Sequence, residues 1–343
     1  MVAKTSLDPR LIVRFGDIAD VGIVSKFIDE HWKSGHILAR DQELFEYLYL
    51  EKNSRLNFVL AFEPEENELI AILGFASSNL NLSRVSTSMW KAREDLKFRK
   101  LRAGVAVFNF LLKQINPRSI FSNTISPSTI DFYKFLKFPC FLMDHFVYVN
   151  SHVNDFKIIV NPPLRISLLS SLETPIACLS ALDNSSDLQR ALKEIPFAEG
   201  TKDFYYLEHR YFRNPRFKYH VFEVIVKDKS IGLIVYRRQF INGGSCIRII
   251  DAIGDEPCLV EAFPSLINEM YHQGDEYIDL VCWGLNIDAI QKTGLVDRRK
   301  YPECIVPELF SPFVPKNVDR WLFTNNPDNE KIYKGDGDQD RPN

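Results

Sequence analysis

The chain has 343 residues, of which 45% are hydrophobic and 25% charged, and its formal net charge is −3 at pH 7. This length is sufficient for two domains of ordinary size, and the composition predicts a buried core and excludes global disorder. A net charge so near zero gives no electrostatic reason to expect nucleic acid or a membrane surface as a partner.

The sequence also indicates the cellular compartment and whether a bound metal is expected. No apolar segment typical of a secretory signal follows Met1, and no apolar run reaches the roughly 18 residues of a spanning helix. The six cysteines form no Cys-x-x-Cys pair, and neither they nor the seven histidines have the spacing of zinc ligands. We therefore expect a cytoplasmic protein with reduced thiols and no bound metal.

The first predicted elements alternate between strands and helices. Apolar periodicity predicts a strand over residues 11–15, helices over 17–32 and 41–49, and a hairpin over 58–75. His31 precedes the turn between the two helices, and His36 lies within that turn. A polar segment over 77–87 then leads to Trp90.

A cationic segment follows. Residues 97–102 hold four cations in six positions, and the small pair Ala103-Gly104 comes next. Leu101, Val105 and Phe108 recur at helical spacing, so an amphipathic helix is expected to begin here. The first N–H groups of a helix have no helical acceptor and carry the positive end of its dipole, and a glycine lets a ligand approach the backbone. The segment therefore predicts an anion site.

The rest of the chain repeats this organisation. A strand over 119–123, a short helix over 129–136 that carries Tyr133, and a strand over 141–150 precede a break between residues 151 and 200. The second half then predicts a hairpin over 217–238, an extra strand over 246–253, a helix over 257–272, a strand over 277–282 and a helix over 287–292. The fold class is thus α/β, with tandem domains 1–155 and 156–343, each a mixed central sheet flanked by helices.

The cationic segment has a counterpart in a known family. The spacing Arg99-x-x-Arg102-x-Gly104 resembles the loop of the GCN5-related N-acetyltransferases (GNAT) that binds the pyrophosphate of coenzyme A. The order of loop, helix, strand and short helix with a tyrosine also resembles that family. Arg102 replaces the first glycine of the family's motif, and Lys137-Phe138 stands where Gly-Phe is usual.

Over nearly its whole length the chain resembles the tandem GNAT sugar N-acyltransferases of bacterial surface-polysaccharide synthesis. Within that group it is most similar to enzymes that acylate a dTDP-linked 3-amino-3,6-dideoxyhexose. The residues that carry the resemblance are His31-Trp32, His36-Ile37-Leu38, Trp90-Lys91, residues 142–146, Asn150, residues 206–210, Asn214-Pro215, residues 248–251, Gly254-Asp255, residues 276–279 and the tail 334–343.

The resemblance implies a function. Domain 1–155 would bind coenzyme A, and a degenerate domain 156–343 would contribute to the acceptor site. The reaction would move a 3-hydroxybutanoyl or acetyl group from acyl-CoA to the amino group of a nucleotide-linked amino sugar, for O-antigen or capsule synthesis. The expected partners are acyl-CoA and that sugar, and the expected state is a monomer or homodimer.

Only one of the two domains is expected to bind the cofactor. In the second half, Gly254-Asp255-Glu256-Pro257 stands where the first half has its cationic segment. Two carboxylates beside a helix N-terminus favour the helix but would repel a pyrophosphate.

Three residues are candidates for the chemistry. Amide formation needs a neutral amine and a protonated leaving thiol, and a histidine is suited to proton transfer near pH 7. We expect His36 to be the base or to position the amine, with His145 as the second choice. The resemblance implies that Tyr133 donates a proton to the departing thiolate. For each, a capping or packing role is the alternative.

The other candidates are expected to bind the two substrates. Capping is the alternative role for Ser128, core packing for Trp90, and a solvated helix end for at least one of the arginines. Cofactor contacts are expected from Arg99, Lys100, Leu101, Arg102, Ala103, Gly104, Val105 and Ser128, and substrate contacts from His31, Trp90, Asn150, Arg210 and Arg213.

Two other functions remain open. One keeps the fold but uses an amino acid or peptidyl amine as the acceptor. The other is a non-catalytic GNAT-like binding protein, an alternative that rests on Arg102 at the glycine position. The Asp-x-Asp-x-Asp spacing of the tail is not expected to bind calcium, because Arg341 stands where a calcium loop needs glycine.

Overall fold

The structure is a computed structural model that describes residues 10–163, 177–195, 202–254, 257–337 and 340–342. No helix in these ranges is both long enough and apolar enough to cross a bilayer. The helices are α1 (Val21–Phe27), α2 (Ile37–Arg40), α3 (Gln42–Tyr49), α4 (Leu96–Arg99), α5 (Ala103–Ile115), α6 (Ile130–Phe135), α7 (Ser185–Glu194), α8 (Phe204–Phe212), α9 (Pro257–Gln273) and α10 (Ile287–Lys292).

The strands form two large mixed sheets and one small hairpin. They are β1 (Ile12–Asp17), β2 (Arg55–Glu63), β3 (Glu68–Ser77), β4 (Arg84–Ala92), β5 (Ser119–Ile125), β6 (Cys140–Leu142), β7 (Asp144–Val149), β8 (Ala177–Ala181), β9 (His220–Val226), β10 (Lys229–Ile241), β11 (Gly244–Gly254), β12 (Tyr277–Trp283), β13 (Val296–Asp297), β14 (Leu309–Phe310), β15 (Phe313–Val314), β16 (Trp321–Thr324) and β17 (Ile332–Tyr333).

The first sheet has the order β1-β2-β3-β4-β5-β16-β6. Strands β1 to β4 are antiparallel, and α5 connects β4 to its parallel neighbour β5. Along β2, Val59 packs on the α5 side, whereas Phe58 and Leu60 pack with α1 and α3 on the other side. Because helices cover both faces, β2 and β3 have continuous apolar runs instead of an alternating pattern.

The second sheet repeats this arrangement in the order β13-β7-β12-β11-β10-β9-β8. Strands β9 to β11 are antiparallel, and α9 connects β11 to the parallel strand β12. The predicted fold class of two tandem GNAT-like units is therefore confirmed. The prediction that the strand over 246–253 is extra is wrong, because β4 is its counterpart in the first half. The polar side chains Thr87 and Ser88 interrupt the apolar pattern of β4, so the sequence alone does not predict this strand.

The two sheets exchange strands. Strand β16, from late in the chain, pairs with β5 and β6 in the first sheet. Strand β7, from the first half, pairs with β12 and β13 in the second sheet. A division of the chain at residue 155 therefore separates each of these strands from the sheet that contains it.

The described acidic residues of the tail are buried between the sheets. Asp336 and Asp340 are 0% and 4% exposed. The carboxylate of Asp336 accepts a hydrogen bond from Arg84 on β4 at 2.8 Å. The carboxylate of Asp340 accepts bonds from Tyr219 at 2.7 Å and from Arg237 at 2.8 Å. The tail is thus held by charges in both halves.

Candidate functional site

A cleft opens in the first sheet where two parallel strands separate. Strands β4 and β5 pair only from Arg84–Ser119 to Ser86–Phe121, although both continue beyond these residues. Helix α5 begins at the open end of this cleft. In open α/β sheets, the crevice at the carboxyl ends of parallel strands is the usual place for a ligand.

The mouth of the cleft is cationic. Arg99, Lys100 and Arg102 are exposed, and none of them forms an ion pair within the described ranges. Arg102 is the N-cap of α5 in the left-handed conformation, with φ of 50°. The first helical bonds return to its carbonyl, so the N–H groups of Ala103 and Gly104 have no helical acceptor.

The other two residues of the predicted loop have different surroundings. Leu101 is 8% exposed and packs in the core of the first sheet. Val105 is half-buried in the first turn of α5, and its N–H donates to the Arg102 carbonyl at 2.9 Å.

Strand β4 carries a bulge within the cleft. Its register with β3 changes between the pairs Ser88–Gly74 and Lys91–Ile72, and Met89 has φ of 46°. The extra residue of a bulge leaves backbone groups outside the hydrogen-bond ladder. At this point β4 no longer pairs with β5, so these backbone groups lie beyond the last β4–β5 pair, where the cleft is.

Trp90 fixes the start of α5 against β4. Its indole Nε1 donates to the carbonyl of Gly104 at 2.9 Å, and its ring stacks on Phe108 with a centroid distance of 4.6 Å. These contacts position the mouth of the cleft and give the residue a structural role.

Tyr133 lies beside Trp90 on the short helix α6. Its ring centroid is 5.6 Å from that of Trp90 and 4.4 Å from that of Phe323 on β16. Burial raises the pKa of Tyr133 well above its usual value. No described residue bonds its hydroxyl. The hydroxyl therefore carries its proton at neutral pH, although the higher pKa makes it a weaker acid than an exposed tyrosine.

His36 caps a helix. It is 6% exposed, and its Nδ1 accepts the N–H of Leu38 at the start of α2, at 3.2 Å. Since the backbone N–H is the donor, the proton of the neutral ring is on Nε2. With its Nδ1 lone pair used in the cap and its Nε2 protonated, this tautomer has no lone pair with which to abstract a proton.

His31 and Ser128 lie near the surface. His31 follows α1, and its ring packs at a tilt against that of Phe27, with a centroid distance of 4.8 Å. The exposed Ser128 hydroxyl pairs with that of Ser126 at 2.8 Å, and Ser126 caps the turn before α6.

His145 belongs to a buried ionic cluster in the second sheet. Its Nδ1 accepts from Arg298 and its Nε2 faces Asp279, each at 3.2 Å. Arg248 bonds both Asp279 and Glu308 at 2.8 Å. His145, Asp279 and Glu308 place potential metal ligands within 4.8 Å of one another. Cations already occupy the carboxylate oxygens, so the arrangement fits an ionic cluster linking the halves.

Three predicted substrate-binding residues have very different surroundings. The amide of Asn150 donates to the carbonyl of Asp275 at 2.7 Å and ends strand β7. Arg213 is exposed and pairs with Glu208 at 2.6 Å. Arg210 is 4% exposed, and its Nε and Nη2 have no hydrogen-bond partner among the described residues.

The tail occupies the equivalent cleft of the second sheet. Strands β11 and β12 also stop pairing, after Ile249–Leu280. Strand β17 pairs with β12, and the N–H of Gly335 donates to the carbonyl of Ile250 on β11 at 2.8 Å. A Cβ at position 335 would lie 2.6 Å from the hydroxyl of Tyr211. The second cleft is therefore tightly filled by the chain itself. Asp255 and Glu256, predicted to repel a pyrophosphate, lie outside the described residues.

Sequence reasoning missed the bulge at Met89, the carboxylate of Glu308 and the buried tail. The four-residue spacing of Asp336 and Asp340 was the one sequence signal of an ordered tail. Composition alone predicts a solvated acidic end.

Comparisons with known proteins support the fold. No family model matches the sequence, and no curated protein matches it. A protein from Enterococcus faecalis V583 described as a probable N-acyltransferase has a TM-score of 0.54 and 9% identity, over 93% of this chain and 73% of that chain. A GCN5-related N-acetyltransferase from Anabaena variabilis ATCC 29413 has a TM-score of 0.51 and 12% identity, over 92% and 72%. The chain is thus similar in fold to the GCN5-related N-acetyltransferases.

Proposed function

We propose that the protein is an acyl-CoA-dependent N-acyltransferase whose acyl donor binds in the β4–β5 cleft of the first half. The observation that carries this proposal is the contrast between the two clefts. The first has a cationic mouth beside a helix N-terminus, whereas the tail fills the second.

The residues at the mouth fit the diphosphate of coenzyme A. Arg99, Lys100 and Arg102 are exposed without ion-pair partners in the described part of the chain. The N–H groups of Ala103 and Gly104 supply further donors. The short helix after β5, with Ser128 at its start, is where we place the pantetheine arm.

The chain's own residues supply three elements of the chemistry. The bound thioester supplies an electrophilic carbonyl. A backbone N–H freed by the bulge at Met89 would donate to the oxygen on which charge develops. Tyr133 would give its proton to the departing thiolate and take one from the amine nitrogen as the amide forms. His36 would position the acceptor. Since an amino-sugar ammonium has a pKa of about 8, water can take its proton near pH 7 and leave a neutral amine to attack.

We propose a nucleotide-linked amino sugar as the acceptor, with dTDP as the nucleotide and 3-hydroxybutanoyl or acetyl as the acyl group. The resemblance of the sequence to such enzymes supports this choice, as does the buried cation Arg210 between the halves. An amino-acid acceptor is the second candidate, because a guanidinium binds a carboxylate as well as a phosphoryl group.

Arg99→Glu should weaken coenzyme A binding roughly tenfold, since it replaces a charge-assisted contact by repulsion. Isothermal titration calorimetry with coenzyme A measures this change. Arg118→Glu is the matched control, because Arg118 is exposed just beyond the other end of α5. Equal affinities for both variants would mean that the mouth of the cleft is misassigned.

A thiol-release assay tests the activity itself. Acetyl-CoA and 3-hydroxybutanoyl-CoA are each combined with dTDP- and UDP-linked amino sugars and with free amino acids. Thiol release that depends on an amino sugar supports the proposed acceptor. Release only with amino acids favours the second candidate, and no release with any pair rejects the enzyme.

A further inference from the structure

Arg210 lies on the buried side of α8, where the two halves meet. The hydroxyl of Tyr47 on α3 donates to the carbonyl of His209 at 2.6 Å. The two rings stack with a centroid distance of 4.3 Å. Helix α8 of the second half is therefore fixed against the helical layer of the first half.

The guanidinium of Arg210 is buried without hydrogen bonds on one edge. Its Nε and Nη2 find no acceptor among the described residues. Burying charged donors without partners is costly, so such a group needs an explanation. The surrounding tyrosines donate to other groups, Tyr206 to Gly335, Tyr211 to Asp251 and Tyr219 to Asp340. No described hydroxyl oxygen accepts from Nε or Nη2 of Arg210.

One carboxylate serves two arginines at this place. The positive charges of Arg237 and Arg210 both help to lower the pKa of the Asp340 carboxyl. Its oxygens are bonded by Arg237 and Tyr219, at 2.8 and 2.7 Å, and neither is bonded by Arg210. Arg210 is thus attracted by Asp340 but donates no hydrogen bond to its carboxylate, so the acceptor that its Nε and Nη2 require is missing from the described part of the chain.

The two free nitrogens have a defined geometry. Nε and Nη2 form one edge of the planar guanidinium, and their N–H bonds point in parallel. That spacing matches two oxygens of one carboxylate or phosphoryl group. We propose that Arg210 is a binding residue for an oxyanion of the acceptor, held side-on by this edge.

The position of Arg210 relative to the first cleft supports this assignment. Arg341, the neighbour of Asp340 in the sequence, contacts the sulfur of Met89 at 3.7 Å. Met89 forms the bulge of β4 in the cleft. Asp340, which is attracted by Arg210, is the residue next to Arg341, so a single peptide unit connects the surroundings of Arg210 with the cleft. Naming the acceptor rests on the proposed function, but the anion site itself rests only on these contacts.

The test is a thermal-shift titration without acyl-CoA, using dTDP, inorganic phosphate and acetate as separate probes. Arg210→Met should weaken the apparent binding of the active probe about tenfold or more. Lys193→Met, which removes an exposed cation from the neighbouring helix α7, should leave it unchanged. Arg210→Lys keeps the charge but loses the two-donor edge, and should bind at an intermediate level.

The melting temperature of the free protein separates binding from structure. Replacing buried donors that lack acceptors by an apolar side chain of similar size should leave the melting temperature unchanged or raise it. A large fall in Arg210→Met would indicate a structural arginine and overturn the proposal. So would equal probe shifts in wild type and Arg210→Met, or no shift with any probe in the wild type.

The separate probes keep the two proposals distinguishable. An Arg210-dependent shift with dTDP or phosphate supports both the anion site and a nucleotide acceptor. An Arg210-dependent shift with acetate alone supports the anion site while rejecting the nucleotide sugar.

Discussion

Glu308→Gln is expected to destabilise the protein by about 3–5 kcal/mol, because it removes one charged partner from a buried ionic cluster. Glu308 is 3% exposed, and one of its oxygens bonds both Arg320 and Lys334 at 2.8 Å. Its other oxygen bonds Arg248, also at 2.8 Å. The variant keeps the side-chain volume but leaves these cations without their shared carboxylate.

Urea denaturation of Glu308→Gln and of Glu303→Gln measures this difference. Glu303 is exposed on the same segment, so its change should stay within about 0.5 kcal/mol. Equal stabilities for the two variants would show that the cluster does not hold the halves together.

The same cluster predicts how stability depends on acid. Burial alone would raise the pKa of Glu308, but the charges of Lys334, Arg320 and Arg248 outweigh it and hold the pKa well below its usual value. The contribution of Glu308 is therefore present above the pKa of about 4.3 in the unfolded chain. It is lost as the pH falls through the lower pKa of the folded state. Glu308→Gln should lack this part of the acid dependence in denaturation curves measured between pH 5 and pH 2.

Tyr133→Phe is expected to lower kcat about a hundredfold, the lower end of the effect of a general acid. The hydroxyl has no partner among the described residues, and the ring contacts with Trp90 and Phe323 remain in phenylalanine. Folding stability should therefore change little. If the hydroxyl acts only in the transition state, kcat and kcat/KM should fall together.

Steady-state thiol release with saturating acceptor measures this change, and Tyr205→Phe on α8 is the control, since Tyr205 is 54% exposed. A hundredfold loss that is confined to Tyr133→Phe supports the proton-donor role. Unaltered turnover in Tyr133→Phe would assign the residue to packing.

The sequence predicts the elements whose signals are local. Helix α10 lies over Ile287–Lys292 as its periodicity indicates, and Asn286 caps it through the N–H of Ala289. Helix α9 begins at Pro257, a residue suited to the first helical turn. Such signals act within one turn and need no knowledge of the rest of the fold.

The strand exchange depends on contacts that no local pattern contains. Strand β16 has only four residues, and its partners β5 and β6 are nearly two hundred residues earlier in the chain. The tail is a similar case, because the acidic residue Asp336 becomes buried only when Arg84 supplies a charge from the other half. Pairings of this kind are decided by the assembled fold.

The candidate site divides in the same way. The cationic segment before α5 is visible in the sequence, and the structure places Arg99 and Arg102 exposed at the mouth of a cleft. The sequence treats Arg210 and Arg213 alike, although one is buried without partners on one edge and the other forms an exposed ion pair. Only the three-dimensional surroundings separate a charge in solvent from one kept for a ligand.

A crystal structure with bound coenzyme A tests most directly whether the first cleft alone binds the acyl donor. The account predicts one cofactor per chain, with its pyrophosphate at the N-terminus of α5 and its thiol directed between β4 and β5. Cofactor density between β11 and β12, or no density at saturating coenzyme A, would contradict it.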